Sequence, residues 1–207
     1  MRWTAADEAR HDDAPGIESW GFEFGAGRST GRIRLTLDVA RGRAGFLADF
    51  LLPGAGRLVV ADEHVPVPRW EAGLDIRTDG LWASVYCETP FEHWSLGLEA
   101  FGLRLGASPV AEAGEAPVAA VDEVDEAVGA WDDLVGERLA MGFDLEWELR
   151  GPPEPLSDGG GYAQVGVLFG EVLVARDRIE IDGPAVRDHW WGGAPGVRND
   201  PTERLAT

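Results

Sequence analysis

The stretch MGFDLEWEL, residues 141–149, decides the fold class because its apolar and polar side chains alternate without a break. The apolar set occupies every second position: Met141, Phe143, Leu145, Trp147 and Leu149. Side chains of a β-strand point alternately to its two faces, so this pattern predicts a strand with one buried and one wet face. The same period of two recurs around residues 19–24, 32–39 and 93–98, which predicts further strands of this kind.

Short connections rich in glycine and proline separate the predicted strands. Asp79-Gly80 has the residue types of a hairpin turn, and Pro53-Gly54 and Gly151–Pro153 end other strands. Counting gives about nine to eleven strands, mostly antiparallel because their connections are short. At Glu99-Ala100 the apolar parity shifts, which predicts a bulge or a tight bend in that strand. The sequence therefore predicts an all-β protein built as an antiparallel β-barrel.

One segment has the period of an α-helix instead. Apolar residues recur at helical spacing between residues 118 and 136, and acidic residues occupy the other positions. This pattern predicts one amphipathic helix at 118–136, after a linker at 107–117. Its favoured role is a lid across an open end of the sheet, and a partner-binding helix is the alternative.

Composition limits the partners and the compartment. Eighteen basic residues, all arginine, stand against 37 acidic ones, a formal charge of −19 that opposes binding to nucleic acids and to anionic membrane surfaces. No signal peptide and no membrane-spanning run is evident, so a cytoplasmic location without membrane insertion is expected. The predicted organisation is a flexible lead-in at 1–17, a barrel domain at 18–192 and a disordered tail at 193–207.

The single cysteine, Cys87, excludes an internal disulfide. It lies within the apolar pattern of a strand, where a small core residue is expected. A reactive thiol is the alternative.

The strongest chemical candidate is a run of five residues after the strand break at Gly183-Pro184: Arg187, Asp188, His189, Trp190 and Trp191. Burial of Asp188 in an apolar barrel end would raise its pKa and make it a proton donor, with His189 as its partner. Indole faces stabilise cations formed on protonated alkenes. The alternative is structural: Asp188 pairs with an arginine and the tryptophans close the barrel.

Glu92 and His93 form a second candidate pair, close to Glu88. They could act in acid–base chemistry, whereas a structural His93 would donate to a backbone carbonyl. No metal site is expected, because no HxH, HExxH or paired-cysteine spacing occurs. A metal near Glu92 and His93 would need further ligands, for which His64 and His189 are the candidates. No glycine-rich strand-to-helix motif is present, so no cofactor is expected.

The predicted barrel interior is rich in aromatic residues, which either fill a barrel or line a cavity for a hydrophobic ligand. The candidate ligand-binding residues are Trp20, Trp82, Tyr86, Trp94, Phe143, Trp147, Trp190 and Trp191.

Three blocks carry a resemblance to a known group of proteins. CETPFEHWSLGLEAF (87–101), MGFDLEWELRGPP (141–153) and IDGPAVRDHWWG (181–192), in that order, resemble an actinobacterial branch of the lipocalin-like AttH and carotenoid hydratase superfamily. The resemblance covers about residues 18–192. Members of this superfamily carry a terminal motif of Asp-His, a Ser or Asn, and Trp-Gly. Asp188, His189, Trp191 and Gly192 match it, whereas Trp190 replaces the small polar residue and is expected to narrow the entrance of the site.

The resemblance implies a lipocalin-like fold and a hydrophobic small-molecule ligand, such as a polyene, an isoprenoid or a polyketide. It also implies hydration, cyclisation or isomerisation as the reaction, with Asp188 as proton donor or orienting carboxylate. A non-catalytic carrier of such a ligand is the alternative. Relatives often continue into a second lipocalin-like domain, so a half-unit that forms a homodimer is a further alternative.

Overall fold

A computed structural model describes residues 3–11, 16–68, 74–106, 134–156 and 160–192. These residues form eleven strands, and every strand pair is antiparallel. In chain order the strands are β1 (Ile17–Ala26), β2 (Ser29–Asp38), β3 (Arg43–Leu52), β4 (Gly56–Pro66), β5 (Ile76–Thr78), β6 (Leu81–Thr89), β7 (His93–Leu105), β8 (Gly136–Leu149), β9 (Glu154–Pro155), β10 (Gly160–Val174) and β11 (Asp177–Trp191). Two 3-10 turns, Ala5–Glu8 and Val39–Arg41, complete the described elements. The predicted antiparallel all-β fold is therefore confirmed.

Eight of the strands close into a ring. Their order is β4-β3-β2-β1-β11-β10-β8-β7, and the ring closes where Arg57–Val59 of β4 pair with Leu103–Leu105 of β7. The first part of β7 pairs instead with β6, which in turn pairs with β5. The short β9 pairs with β10.

Side chains of alternate residues fill the inside of the ring with one apolar cluster. Leu35, Leu145 and Trp147 are fully buried, and the rings of Phe50 and Phe143 lie 5.6 Å apart across it. Burial of each large apolar side chain contributes about 1.5–3 kcal/mol. The period of two seen in the sequence is thus the period of this core.

The strand β7 runs through the position where a bulge was predicted, and that prediction is wrong. Its register with β8 is unbroken from His93 to Leu105. Gly102 takes the inner position there, where an added Cβ would press against Val60, and Phe101 points outward with 57% of its surface exposed. The guanidinium of Arg138 lies 5.0 Å from the Phe101 ring, so an outward aromatic residue explains the change of parity.

The predicted helix at 118–136 lies outside the described residues except at its end, where Gly136 begins β8 instead of ending a helix. The predicted tail at 193–207 also lies outside them. Within the described part of the chain, no helix has the length and hydropathy to cross a lipid bilayer.

Part of the predicted lead-in makes contacts with the ring. Residues 3–11 pack against one end of the ring, and Glu8 is only 5% exposed. The 3-10 turn is capped by Thr4, whose backbone N–H and hydroxyl both donate to the Asp7 carboxylate at 2.7 and 2.8 Å. We call residues 3–11 the N-terminal cover.

Candidate functional site

Beneath the N-terminal cover, the inner faces of β1, β11 and β10 carry a group of buried polar residues. The register sets Trp20 and Tyr162 on either side of His189. Charged and polar groups that elsewhere face solvent are buried here, with exposed fractions of 3% for Glu18, 0% for Arg187 and 0% for His189. Because burial of an unpaired charge is costly, each needs a partner.

Arg187 is paired with Glu8 of the N-terminal cover. Its Nη1 donates to Glu8 Oε2 at 2.9 Å, and its Nη2 donates to Glu8 Oε1 at 2.8 Å and to the Tyr162 hydroxyl oxygen at 2.7 Å. The backbone N–H of Phe91 donates to Glu8 Oε1 at 2.7 Å. The Glu8 carboxylate therefore receives donors from both a guanidinium and a backbone amide.

Aromatic rings surround this pair on the side of the core. The Arg187 Cζ atom lies 4.8 Å from the Trp94 ring centroid, 5.4 Å from that of Trp147 and 5.2 Å from that of Tyr162. Cation–π attraction of this kind strengthens when water is excluded. Burial raises the pKa of the Tyr162 phenol well above its usual range, so the phenol stays neutral beside the guanidinium.

His189 is paired with Glu18. Its Nε2 lies 2.8 Å from Glu18 Oε1, and the Nδ1 of His11 lies 2.9 Å from the same oxygen. The backbone N–H of His11 also donates to both carboxylate oxygens. The other ring nitrogen of His189, Nδ1, is buried and has no hydrogen-bond partner among the described residues.

Aromatic rings also enclose the imidazole of His189. Trp20 stacks on the His189 ring with centroids 4.6 Å apart. Trp191 stacks on the neighbouring His11 ring with centroids 3.9 Å apart. Burial lowers the pKa of His189 despite the opposing effect of the Glu18 carboxylate, and this lowering favours the neutral imidazole. Glu18 then accepts the Nε2 proton, and Nδ1 carries a free lone pair.

His11, Glu18 and His189 are also the described residues that could hold a metal ion. They offer one atom each, and the three atoms lie within 4.8 Å of one another. Two imidazoles and a carboxylate suit zinc or iron. A metal-bound histidine almost always donates its second ring N–H to an acceptor, however, and His189 Nδ1 has none among the described residues. The expectation of no metal therefore stays a prediction.

Asp188 and His189 do not share a face of β11, which corrects the interpretation of them as one acid–base pair. Consecutive residues of a strand point to opposite faces. Asp188 points to the outer face, where its Oδ1 lies 3.4 Å from Nη2 of Arg34. Gly21 leaves room for this contact, because a Cβ at that position would collide with both Asp188 and Arg34. The contact with Arg34 is the arginine pairing expected under the structural alternative.

Glu92 and His93 lie between two residues that contact this group, Phe91 and Trp94, but their side chains do not point into it. Glu92 is exposed, and His93 lies on the outer face of the ring, where its Nε2 is 2.6 Å from Oε2 of Glu146. Ser95 donates to the same Glu146 oxygen at 3.0 Å. His93 thus pairs with a side-chain carboxylate, not with the backbone carbonyl of the structural alternative.

The candidate ligand-binding aromatics divide between the two faces. On the inner face near the polar group lie Trp20, Trp94, Trp147 and Trp191, and Phe143 lies deeper in the apolar core. Trp82, Tyr86 and Trp190 occupy outward positions: Trp82 lies over Gly97, Tyr86 is 49% exposed, and Trp190 alternates with His189. Trp190 therefore cannot narrow an entrance beside His189, because its side chain is on the other face.

Cys87 packs against the core as expected of a small buried residue. Burial raises its pKa to about 12, so the thiol is not reactive at neutral pH.

Several members of the site were not identified from the sequence. Glu18 has a readable signal, since it is in phase with Trp20 and Phe22 on the apolar face of β1 and a charge at such a position needs a buried partner. Glu8 and His11 have no such signal. They precede the strands and reach partners more than 100 residues away.

Comparisons with known proteins give a family but no activity. A family model described as a domain of unknown function, DUF7064, matches residues 4–202. No curated protein matches the chain. The match spans the ring, the N-terminal cover and the buried polar group, so this chain belongs to the DUF7064 family.

Proposed function

We propose that the protein binds a hydrophobic small molecule at the ring end beneath the N-terminal cover and that His189, oriented by Glu18, transfers a proton on it. The ligand class is a polyene, an isoprenoid or a polyketide-like molecule, in line with the resemblance to the lipocalin-like AttH and carotenoid hydratase superfamily. The antiparallel ring of strands and its aromatic interior support that resemblance.

One observation carries the proposal: His189 has one nitrogen on a carboxylate and the other buried without a partner among the described residues. A carboxylate on one imidazole nitrogen fixes the tautomer and stabilises the imidazolium that forms when the other nitrogen takes a proton. A buried acceptor without a donor otherwise destabilises the fold. The pair Glu18–His189 thus has the arrangement of a general base.

The chemistry follows from that arrangement. The Nδ1 lone pair of His189 removes a proton from an allylic carbon conjugated to a carbonyl group of the ligand, which takes up the negative charge. The imidazolium forms against Glu18, and the proton returns to a different carbon. This sequence isomerises an alkene with no net change in atoms or electrons. Hydration and cyclisation require the protonated imidazole first, and the indole face of Trp20 would then stabilise the carbocation.

Access to His189 requires the N-terminal cover to move. Trp3 lies 4.9 Å from the Tyr162 ring and 6.2 Å from the Trp191 ring, so it closes the end of the ring above the polar group. Arg10 donates to the carbonyl of Pro68 at 3.2 Å. The Glu8–Arg187 and His11–Glu18 contacts also hold the cover in place. None of these contacts belongs to the strand ladder, so the cover can open without disturbing it.

Hydrogen exchange from solvent tests the proposal. The protein would be incubated in D₂O with farnesoic, geranylgeranoic and retinoic acids, and deuterium in the recovered alkene would be measured by mass spectrometry. We expect incorporation with the wild-type protein and a loss of about 10²–10⁴-fold in His189→Gln. A probe that binds but acquires no deuterium would contradict proton transfer and favour the non-catalytic carrier.

A further inference from the structure

We infer that Glu8 occupies a carboxylate-binding subsite, and that the ligand of this protein is a hydrophobic carboxylic acid whose carboxylate displaces Glu8 from Arg187. This inference rests on the proposed function, because it names the chemical class of the molecule that enters beneath the N-terminal cover. Four groups define the subsite: the guanidinium of Arg187, the N–H of Phe91, the Tyr162 hydroxyl and the Trp94 ring.

The groups that surround the Glu8 carboxylate all belong to the ring and its turns, and only the carboxylate comes from the cover. Arg187 is on β11 and Tyr162 is on β10, whereas Glu8 ends a 3-10 turn outside the sheet. Movement of the cover therefore leaves Arg187 and Tyr162 in place and removes the Glu8 carboxylate from them.

The turn that presents the Phe91 N–H is held in a costly conformation. Phe91 has φ 63°, a left-handed backbone angle that non-glycine residues rarely adopt. Gln164, itself 1% exposed, donates from Nε2 to the Phe91 carbonyl at 3.1 Å and so supports this turn from β10. Strain of this kind concentrates at ligand-binding positions, where the surrounding structure maintains it.

Arg187 explains why the ligand must be an anion. Its side chain is fully buried, and its Nε has no hydrogen-bond partner among the described residues. Without Glu8 the guanidinium would be left in an aromatic box with no counter-charge, which is strongly unfavourable. A planar carboxylate restores the same two parallel N–H···O bonds, whereas an alcohol cannot.

The position of Arg187 relative to His189 connects the subsite to the reacting group. The two residues are separated by one position on the same face of β11, which corresponds to about 6.6–7 Å. Tyr162 contacts both, through its hydroxyl to Arg187 and with its ring 5.8 Å from that of His189. A carboxylate on Arg187 would thus place the first few carbons of an apolar chain beside His189.

The test compares decanoate with decanol at pH 8, measured by isothermal titration calorimetry and by tryptophan fluorescence. We expect Glu8→Ala to bind decanoate at least tenfold more tightly than the wild type and decanol with unchanged affinity. Decanoate should also raise the lowered melting temperature of Glu8→Ala towards the wild-type value. Glu180→Ala, a change at an exposed glutamate on β11, is the matched control and should behave as the wild type.

A second variant covers the case in which Glu8→Ala does not fold. Glu8→Gln keeps the size of the side chain and should also gain affinity for decanoate, and Arg187→Met in that background should remove the gain. Decanol and decanoate binding equally to Glu8→Ala or Glu8→Gln would overturn the carboxylate subsite and leave a hydrophobic site in place. Absence of binding by either probe to any variant would overturn both the subsite and ligand binding at this end.

Discussion

His189 Nε2 and Glu18 Oε1 lie 2.8 Å apart inside a ring of antiparallel strands, with both side chains almost completely buried. They come from β11 and β1, which pair side by side, so the sheet itself holds the contact. His11 of the N-terminal cover meets the same Glu18 oxygen from above. This pairing links the closing of the ring end to the one imidazole that carries the proposed chemistry.

Glu18→Gln should weaken the contact that holds the N-terminal cover and the hydrogen bond that orients His189. Both imidazoles contact Oε1, and the His11 backbone N–H donates to both carboxylate oxygens. Replacing one oxygen by NH₂ therefore removes at least one acceptor and the negative charge, and hydrogen bonds to charged groups contribute about 1.5–3 kcal/mol each. We expect a melting temperature lower by roughly 3–12 °C at this chain length. Differential scanning calorimetry measures it, with Glu23→Gln, a partly buried position on the outer face, as comparison. An unchanged melting temperature would show that the contact is absent in solution.

Stability should fall as pH decreases below about 6.5 because of His189. Burial lowers the pKa of His189 in the folded state below its ordinary value of 6.5, so the unfolded chain binds the proton more readily. The contribution of neutral His189 to the free energy of unfolding is fully present above pH 6.5 and is lost as pH falls towards the folded-state pKa. Urea titrations of the wild type and of His189→Gln at pH 5–8 would measure it. Parallel pH profiles for the two proteins would contradict it.

Asp188→Asn should cost stability and leave proton transfer intact. The carboxylate pairs with Arg34 on the outer face, at distances of 3.4 and 3.5 Å, and does not face His189. We expect a loss of about 2 kcal/mol, since the mostly buried Arg34 loses one carboxylate partner and retains Glu23, and Asp182→Asn at an exposed position of the same strand should lose almost nothing. Deuterium exchange into a bound alkene should match the wild type. Loss of exchange with an unchanged melting curve would restore Asp188 as the proton donor.

Zinc should not stabilise the protein. His189 Nδ1 lacks the acceptor that a metal-bound imidazole needs, although His11, Glu18 and His189 lie close enough to bind an ion. Melting temperatures measured with EDTA and with added Zn²⁺ should agree for the wild type and for His11→Ala. A rise with Zn²⁺ that disappears in His11→Ala would establish a metal site at these residues.

The fold could be predicted from the sequence because most of its strands bury one face and wet the other. This period is clearest in β8, where the alternating apolar residues are the buried ones: Met141, Phe143, Leu145 and Trp147. Phe101 breaks the period because an outward aromatic residue packs on Arg138, and alternation alone cannot distinguish this from a bulge.

The site was predictable only in part. The run of five residues ending at Trp191 was interpreted as one cluster, but a strand sends Arg187 and His189 inward and Asp188 and Trp190 outward. The same period of two could have separated them. Glu8 could not be anticipated, because it pairs with Arg187 across 179 residues of sequence and lies outside the repeating pattern.

The protonation state of the His189 imidazole most directly tests whether His189 can act as the general base. Nitrogen-15 NMR of selectively labelled histidine, assigned with His189→Gln, would report both ring nitrogens between pH 5 and 8. We predict a neutral ring at pH 7, with the proton on Nε2 facing Glu18 and an unprotonated Nδ1. A proton on Nδ1, or an imidazolium at pH 7, would contradict the assignment of His189 as the base.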